Sequence, residues 1–256
     1  MQAGKRDPIE HLAALLTQAT RVLAFTGAGI STRSNIPDFR GPDGEWRHRT
    51  PASWQDFVAS DAVRREYWAW KYDGYPSFRD ALPNPAHEAL VTLEHWGKLE
   101  AVVTQNVDGL HRMAGTATDR LVELHGTNAE AECMACSART PIARAFERFE
   151  VSRGEPPRCE GCGGLIKPAV VMFGQSLDVD TFQRAQAHAR NADLALSLGS
   201  SLLVTPAAHI PLIAARNRMP YVIVNQGATP HDPVATLVIE GDVSDVLPAA
   251  VALLLE

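Results

Sequence analysis

Positive charge is in short supply in this sequence. Its 24 Lys and Arg stand against 30 Asp and Glu, a formal charge of −6 in 256 residues, and a surface of that balance does not coat a polyanion. Direct nucleic-acid binding over a broad face is therefore excluded, and only a local basic patch is left room. The N-terminal stretch MQAGKRDPIEH lacks an apolar core of signal-peptide length. Charge is absent altogether from Leu194 to Ala215, which meets the length rule for a membrane span. Gly199, Ser200, Ser201, Thr205, Pro206, His209 and Pro211 interrupt that run, so it reads as strand, loop and helix. A soluble, cytoplasmic protein with no membrane segment is expected. Cysteine is scarce, with all four confined to two Cys-x-x-Cys pairs.

The chain is long enough for one large core and a smaller unit. Val22-Leu23-Ala24-Phe25 suits a buried strand. Gly27 and Gly29 then remove two side chains at a sharp turn, which lets backbone N–H groups approach a ligand. The third glycine of the dinucleotide fingerprint is missing, and so is an acid at the end of a second strand. On these residues alone a tight turn without a ligand and a pyrophosphate cradle are equal readings. Further on, Pro37 pushes Ile36 out of helical geometry, so Asn35 to Gly41 reads as a long loop, and such loops are functional or disordered. Asp38, Phe39 and Arg40 side by side suit a ligand with a ring, hydroxyls and phosphates. Trp46 either lines that pocket or packs the loop.

Asp7-Pro8-Ile9-Glu10 carries the signals of a helix start, followed by Leu12, Leu15 and Leu16 at helical spacing. The spacing also predicts a helix over 53–72, rich in aromatic residues that read as core, and another opening at Asn84-Pro85-Ala86-His87, with His87 a structural hydrogen-bonder. A short strand over 101–103 ends in Thr104-Gln105-Asn106-Val107-Asp108, and Leu121 to Leu124 ends in His125-Gly126. Ligands of open α/β sheets sit at such strand ends. Amide and carboxylate side chains can bind an amide and hydroxyls, and an imidazole can take a proton from a hydroxyl near neutral pH. The competing readings are a helix cap with surface polarity and a satisfied structural histidine.

Cys133-x-x-Cys136 and Cys159-x-x-Cys162 have the spacing of a closed tetrahedral thiolate zinc site. Disulfides, which a reducing compartment disfavours, and a redox pair are the competing readings. Ile166 to Gln175 is β-branched and glycine-terminated, so it reads either as an exposed strand able to add a peptide strand to itself or as an ordinary core strand. From Asp180 onward helices and strands alternate, which implies a parallel sheet whose loops at Gly199, Asn225 and Gly241 share a rim with Gly27 and Asn106.

Taken in order, Gly27-Ala28-Gly29-Ile30-Ser31 with Ile36-Pro37-Asp38-Phe39-Arg40-Gly41, Thr104 to Leu110, His125-Gly126, the two cysteine pairs and Gly199-Ser200-Ser201 resemble the sirtuin family of NAD-dependent protein deacylases. The resemblance implies an α/β fold: a Rossmann-like parallel sheet from 1–127 and 168–256, with a small inserted zinc-binding module at 128–167 that part of 42–83 joins as a helical insertion. It implies NAD as a consumed co-substrate, structural zinc, and an acylated-lysine protein or peptide as partner. The products would be nicotinamide, O-acyl-ADP-ribose and free lysine, and a monomer is expected. Protein ADP-ribosyl transfer, or a silent or NAD-hydrolysing sensor, is the alternative.

By the same resemblance His125 and Asn106 are catalytic. Gly27, Ala28, Gly29, Ile30, Pro37, Asp38, Phe39, Arg40, Trp46, Gln105, Asn106, Val107 and Asp108 bind the cofactor, and Gly199, Ser200, Ser201, Asn225, Gln226, Asp242 and Val243 meet its adenine half. Val170, Val171, Phe173 and Gly174 hold the substrate, and the four cysteines hold the metal. Asn35 stands where the family usually has glycine, and Asn tolerates left-handed backbone angles. Trp68-Ala69-Trp70-Lys71 lies near the Tyr-x-x-Arg position of members that remove acidic acyl groups, so acetyl or longer apolar groups are favoured.

Overall fold

A computed structural model describes residues 7–38, 44 and 49–255. Helix α1, Pro8–Gln18, starts where the Asp7 carboxylate accepts the Ile9 N–H at 2.7 Å and Pro8 takes the first helical position. At its far end Lys98 Nζ donates to the carbonyls of Leu16, Thr17 and Ala19 at 3.0, 3.0 and 2.8 Å, satisfying oxygens that no further helical turn reaches. Strand β1, Val22–Thr26, follows, and two short 3₁₀ turns occupy 28–30 and 32–34. Then come α2, Trp54–Ala59; α3, Asp61–Asp80; α4, Pro85–His95; β2, Leu99–Thr104; α5, Leu110–Ala114; and β3, Leu121–Glu123. Next are β4, Gly126–Cys133; β5, Arg139–Pro141; α6, Ile142–Val151; and β6, Ile166–Val170. The chain closes with α7, Val179–Asn191; β7, Leu194–Leu198; α8, His209–Arg216; β8, Tyr221–Asn225; β9, Leu237–Glu240; and α9, Val243–Ala252.

Six strands form one parallel sheet in the order β3-β2-β1-β7-β8-β9. Its central strands are apolar on both faces because helices cover both. Val22, Ala24, Val102, Leu196 and Val222 pack with α1, α4 and α9, while their neighbours Leu23, Phe25, Val103, Ala195 and Ile223 pack with α7 and α8. The alternation is the two-residue period of a strand read from either side.

A second sheet, β5-β4-β6, is antiparallel. Its core joins Ala131, Ile142, Phe146, Phe149 and Ile166 to Phe57, Tyr67 and Trp68 from α2 and α3. Trp68 Nε1 donates to the Ile166 carbonyl at 3.2 Å. The helix expected over 53–72 is two helices: Ser60 leaves helical geometry at φ −126°, and its hydroxyl caps α3 by accepting the Val63 N–H. The strand expected over 166–175 ends as a regular strand at Val170, which pairs with the first residue of β4, Gly126; beyond it only isolated contacts remain, Val171 N–H to the His125 carbonyl and a bridge of Phe173 with Ser53. Helix α8 starts at His209, after a turn over 205–208.

Lys98→Met should cost about 2 kcal/mol by denaturant titration, since it strips a charged donor from three carbonyls at once. A loss below about 0.5 kcal/mol would mean that water replaces the ammonium there.

Candidate active site

After β1 the chain moves outward to β2 and β3, then returns to the other side of β1 for β7, β8 and β9. The strand order thus reverses between β1 and β7, the point where open α/β sheets open a crevice. Here Gly27 N–H donates to the Leu198 carbonyl at 3.0 Å and Gly29 N–H to the Gly199 carbonyl at 2.8 Å. A Cβ on Gly27 would lie 2.8 Å from Gly199 O, and one on Gly29 2.8 Å from Gly199 Cα. Gly199 itself has φ +63°, and a Cβ there would come within 2.4 Å of the Ile30 nitrogen. The three glycines first let two loops lie backbone against backbone, and that contact leaves the crevice open beside them. Asn35 adopts left-handed angles, φ 61° and ψ 23°, and closes the second 3₁₀ turn.

The crevice is a cleft of about 510 Å³. Gly27, Ala28, Gly29 and Asp38 line it from the β1 side, Gln105, Asn106, Val107 and His125 from the ends of β2 and β3, and Gly199, Ser200, Ser201, Asn225, Gln226, Asp242 and Val243 from the other half of the sheet. Asn106 is almost fully buried, and its Nδ2 donates to the Gly27 carbonyl and to Ser31 Oγ, both at 3.1 Å. A carbonyl can only accept, so the amide orientation is fixed and Oδ1 is the atom that can accept from a ligand. Gln105 Nε2 donates to Ser200 Oγ at 2.9 Å, joining the two halves of the rim.

His125 is half-buried, and its Nδ1 lies 3.0 Å from the Gln105 carbonyl. Again the carbonyl must accept, so Nδ1 carries the proton and Nε2 keeps its lone pair. Burial pushes the imidazole pKa below its ordinary 6.5, and the Gln105 carbonyl partly offsets this. The neutral ring is then the resident form at pH 7, which is what a proton acceptor requires.

Val170, Val171, Phe173 and Gly174 line the opposite wall together with Met172 and Gln175. This wall is only partly an open strand edge. Val171 N–H donates to the His125 carbonyl, Met172 N–H to Gln175 Oε1, and the carbonyls of Phe173 and Gly174 accept from Trp54 N–H and Gln55 Nε2. Lys167, 6 % exposed, donates from Nζ to the carbonyls of Pro168 and Val170 at 3.2 and 2.7 Å, pinning the strand where it turns into the cleft. Tyr67, Trp70 and Lys71 also line the cleft. Lys71 Nζ donates to Asn128 Oδ1 at 3.0 Å and lies 4.8 Å from the Trp70 ring centre. Trp68, by contrast, is buried in the small core.

Three of the expected cofactor residues do not line the cleft. Ile30 is fully buried and belongs to the main core. Pro37 is exposed outside the cleft. Asp108 sits behind Asn106, accepting from Ser31 Oγ at 2.8 Å and from Leu110 N–H at 2.9 Å, and desolvation pushes its pKa up. Phe39, Arg40 and Trp46 lie outside the described residues. Sequence reasoning missed Thr32, Leu177, Leu203, Val204, Thr205, Pro206 and Ala228, all of which line the cleft. The nearness of Leu203 and Val204 to Gly199-Ser200-Ser201 in the sequence was the available signal.

Cys133, Cys136, Cys159 and Cys162 bring their sulfurs within 4.8 Å of one another, and none is in a disulfide. Three of the separations are 3.5, 3.7 and 3.5 Å. Four sulfurs about 2.3 Å from a central zinc would stand about 3.8 Å apart. The donor set therefore fits one zinc ion with no coordination position left for a substrate.

A parallel sheet with its cleft at the switch point, flanked by a four-thiolate module, is the architecture of a nucleotide-binding α/β protein with a structural metal site. The Sir2 family model matches residues 27–206, and the chain belongs to that family. A protein of Haloarcula marismortui named NAD-dependent protein deacetylase is 44 % identical over 254 residues, covering 96 % of this chain and 94 % of its own. A Rhodopseudomonas palustris protein of the same name is 39 % identical over 239 residues, covering 93 % and 94 %. Among solved structures, a Sir2 chain with a p53 peptide and NAD+ superposes with a TM-score of 0.84 at 37 % identity, covering 93 % of this chain and 95 % of that chain. Another, solved for the mechanism and regulation of Sir2 enzymes, gives 0.87 at 38 % identity with 98 % of both chains covered. No described helix is long and apolar enough to cross a membrane.

Elemental analysis should find one zinc per chain at the four sulfurs, and chelation should loosen the antiparallel sheet before the parallel one. A metal-free protein with an unchanged melting profile would remove the assignment.

Proposed function

We propose that this chain is an NAD-dependent protein-lysine deacylase, with acetyl-lysine as its main substrate group. The observation that carries the reading is the His125 imidazole, held neutral in one tautomer with Nε2 as its basic atom and lining the same cleft as Asn106. A protein that only binds a nucleotide has no use for a base held in this way. Bound NAD would supply an ADP-ribosyl acceptor for the acyl group, with nicotinamide as the leaving group, and one water consumed afterwards would give O-acyl-ADP-ribose and free lysine as products.

The chain's own residues divide the remaining work. His125 Nε2 takes the proton of a sugar hydroxyl, and the Gln105 carbonyl stabilises the imidazolium that forms, because Nδ1–H remains its donor. Asn106 Oδ1 accepts from a hydroxyl or a bound water. The loops at Gly27–Gly29 and Gly199–Ser201 present backbone N–H groups and hydroxyls to phosphates, while Asn225, Gln226, Asp242 and Val243 border the adenine half. Asp108 serves the nicotinamide end of the cleft indirectly, by accepting from Ser31 Oγ, which in turn accepts from Asn106 Nδ2. Val170, Val171, Phe173 and Gly174 enclose the acylated side chain and keep water from it until nicotinamide has left.

The chain divides at 128 and 167 into a Rossmann-like domain and a zinc module, a reading supported by separate cores, and α2 and α3 pack with the module. It works in the cytoplasm, where reducing chemistry keeps four thiols available to zinc.

Incubation with NAD and an acetyl-lysine peptide should release nicotinamide and deacetylated peptide in equal amounts, and nicotinamide release without peptide would favour a hydrolase instead. His125→Ala should lower turnover by about a thousandfold, within the range that general-base removal costs, while NAD binding by calorimetry changes little. Retained turnover in that variant would remove His125 from the mechanism. In the wild type, turnover should stay level through neutral pH and fall on an acid limb below pH 6.5, since burial lowers the His125 pKa from that value. A midpoint above 6.5 would contradict the assignment.

A further inference from the structure

Behind the cleft wall lies a buried polar chain that the chemistry above leaves unused. His87 and His111 are 0 % and 2 % exposed, and their ring centres are 4.8 Å apart. His87 Nδ1 accepts the Asn84 backbone N–H at 3.3 Å, which puts the His87 proton on Nε2. Thr26 Oγ1 donates to Thr104 Oγ1 at 2.8 Å, so it accepts from His111 Nε2 at 2.9 Å, and the His111 proton is also on Nε2. Burial pushes the His87 pKa down to about 4 and that of His111 well below 6.5, so both rings are neutral at pH 7.

These tautomers have a consequence for the two atoms left over. His87 Nε2 and His111 Nδ1 make no hydrogen bond to another described residue, and one is a donor while the other is an acceptor. At the other end of the chain, Thr104 Oγ1 accepts the Asn106 backbone N–H at 3.0 Å. Thr26 and Thr104 are paired residues at the ends of adjacent strands, so the relay runs across the sheet to the cleft rim.

We propose that His111, without touching the cleft, is a positioning residue that fixes Asn106 through the hydroxyls of Thr26 and Thr104. The effect on turnover rests on the deacylase reading; the effect on Asn106 does not. Removing the His111 N–H frees the Thr26 hydroxyl to rotate, which loosens Thr104 and then the amide that anchors Asn106.

The test compares wild type, His111→Leu, Thr104→Val, their double variant and His111→Gln. It measures exchange of the Asn106 backbone amide by NMR, and kcat and KM with NAD and an acetyl-lysine peptide. Asn106 exchange should quicken about tenfold in each single variant, and kcat should fall by a similar factor with peptide KM little changed, the size expected for one buried hydrogen bond. The double variant should be no worse than Thr104→Val, because both changes cut one relay. His111→Gln, which keeps a side-chain N–H donor, should recover most of the loss. Unchanged Asn106 exchange, or losses that multiply in the double variant, would overturn the proposal. If His111→Leu does not fold, Thr104→Val and His111→Gln decide it by the same exchange measurement. An inactive wild type would sink the deacylase reading and leave Asn106 exchange to judge the relay.

Discussion

Backbone meets backbone where the loop after β1 crosses the loop after β7, and no side chain has room between them. Asn106, Gln105 and His125 take their positions from the strand end beside that contact. Gly27 is fixed by the Leu198 carbonyl; its own carbonyl holds the Asn106 amide; Gln105 N–H donates to the Thr26 carbonyl at 3.0 Å; and the Gln105 carbonyl holds His125. The imidazole is therefore tied to the centre of the sheet through main-chain atoms, which move little. A base placed in this way is oriented before any ligand arrives, and orientation in advance is what makes a polar site effective.

The site also depends on polar groups that are buried and mutually satisfied. Ser31 Oγ donates to Asp108 while accepting from Asn106, and Asn84 Nδ2 donates to the Ile30 carbonyl at 2.7 Å and to Ser34 Oγ at 3.0 Å. The first connects the loop after β1 to the end of β2, and the second connects the same loop to the start of α4. Partly satisfied networks of this sort are destabilising, whereas complete ones select a single arrangement. The sharp turns of 28–34 are held by this bonding, since few apolar side chains are available there.

Much of this was legible in the sequence because the relevant signals are local. The apolar runs at Val22, Ala101 and Leu194 mark doubly covered strands, and the cysteine spacing marks the sulfur cluster. The residues that gather at the cleft were named from ordered motifs whose separate strand ends the parallel sheet brings to one rim. What could not be read depends on partners distant in the chain. Strand β4, Gly126–Cys133, is too polar to announce itself and is a strand because β5 and β6 pair with it on either side. Asp108 was named for the cofactor from its motif, and the motif does not show that the Ser31 hydroxyl and the Leu110 N–H are the groups that hold it. The wall of Leu177, Leu203 and Val204 has no motif at all, being assembled from loops that meet only in space.

The aromatic core beneath the small sheet draws on two stretches of chain, 54–75 and 131–172, with α4, β2 and β3 between them in sequence. Trp68 is the largest side chain in it and comes from the first stretch, while the sulfur cluster comes from the second. The metal-bearing segment is consequently not a transplantable cassette. Excised by itself it would expose the surface that Trp68, Phe57 and Tyr67 now cover, and it would bring its four thiols to a new host without the hydrophobic floor that shapes them.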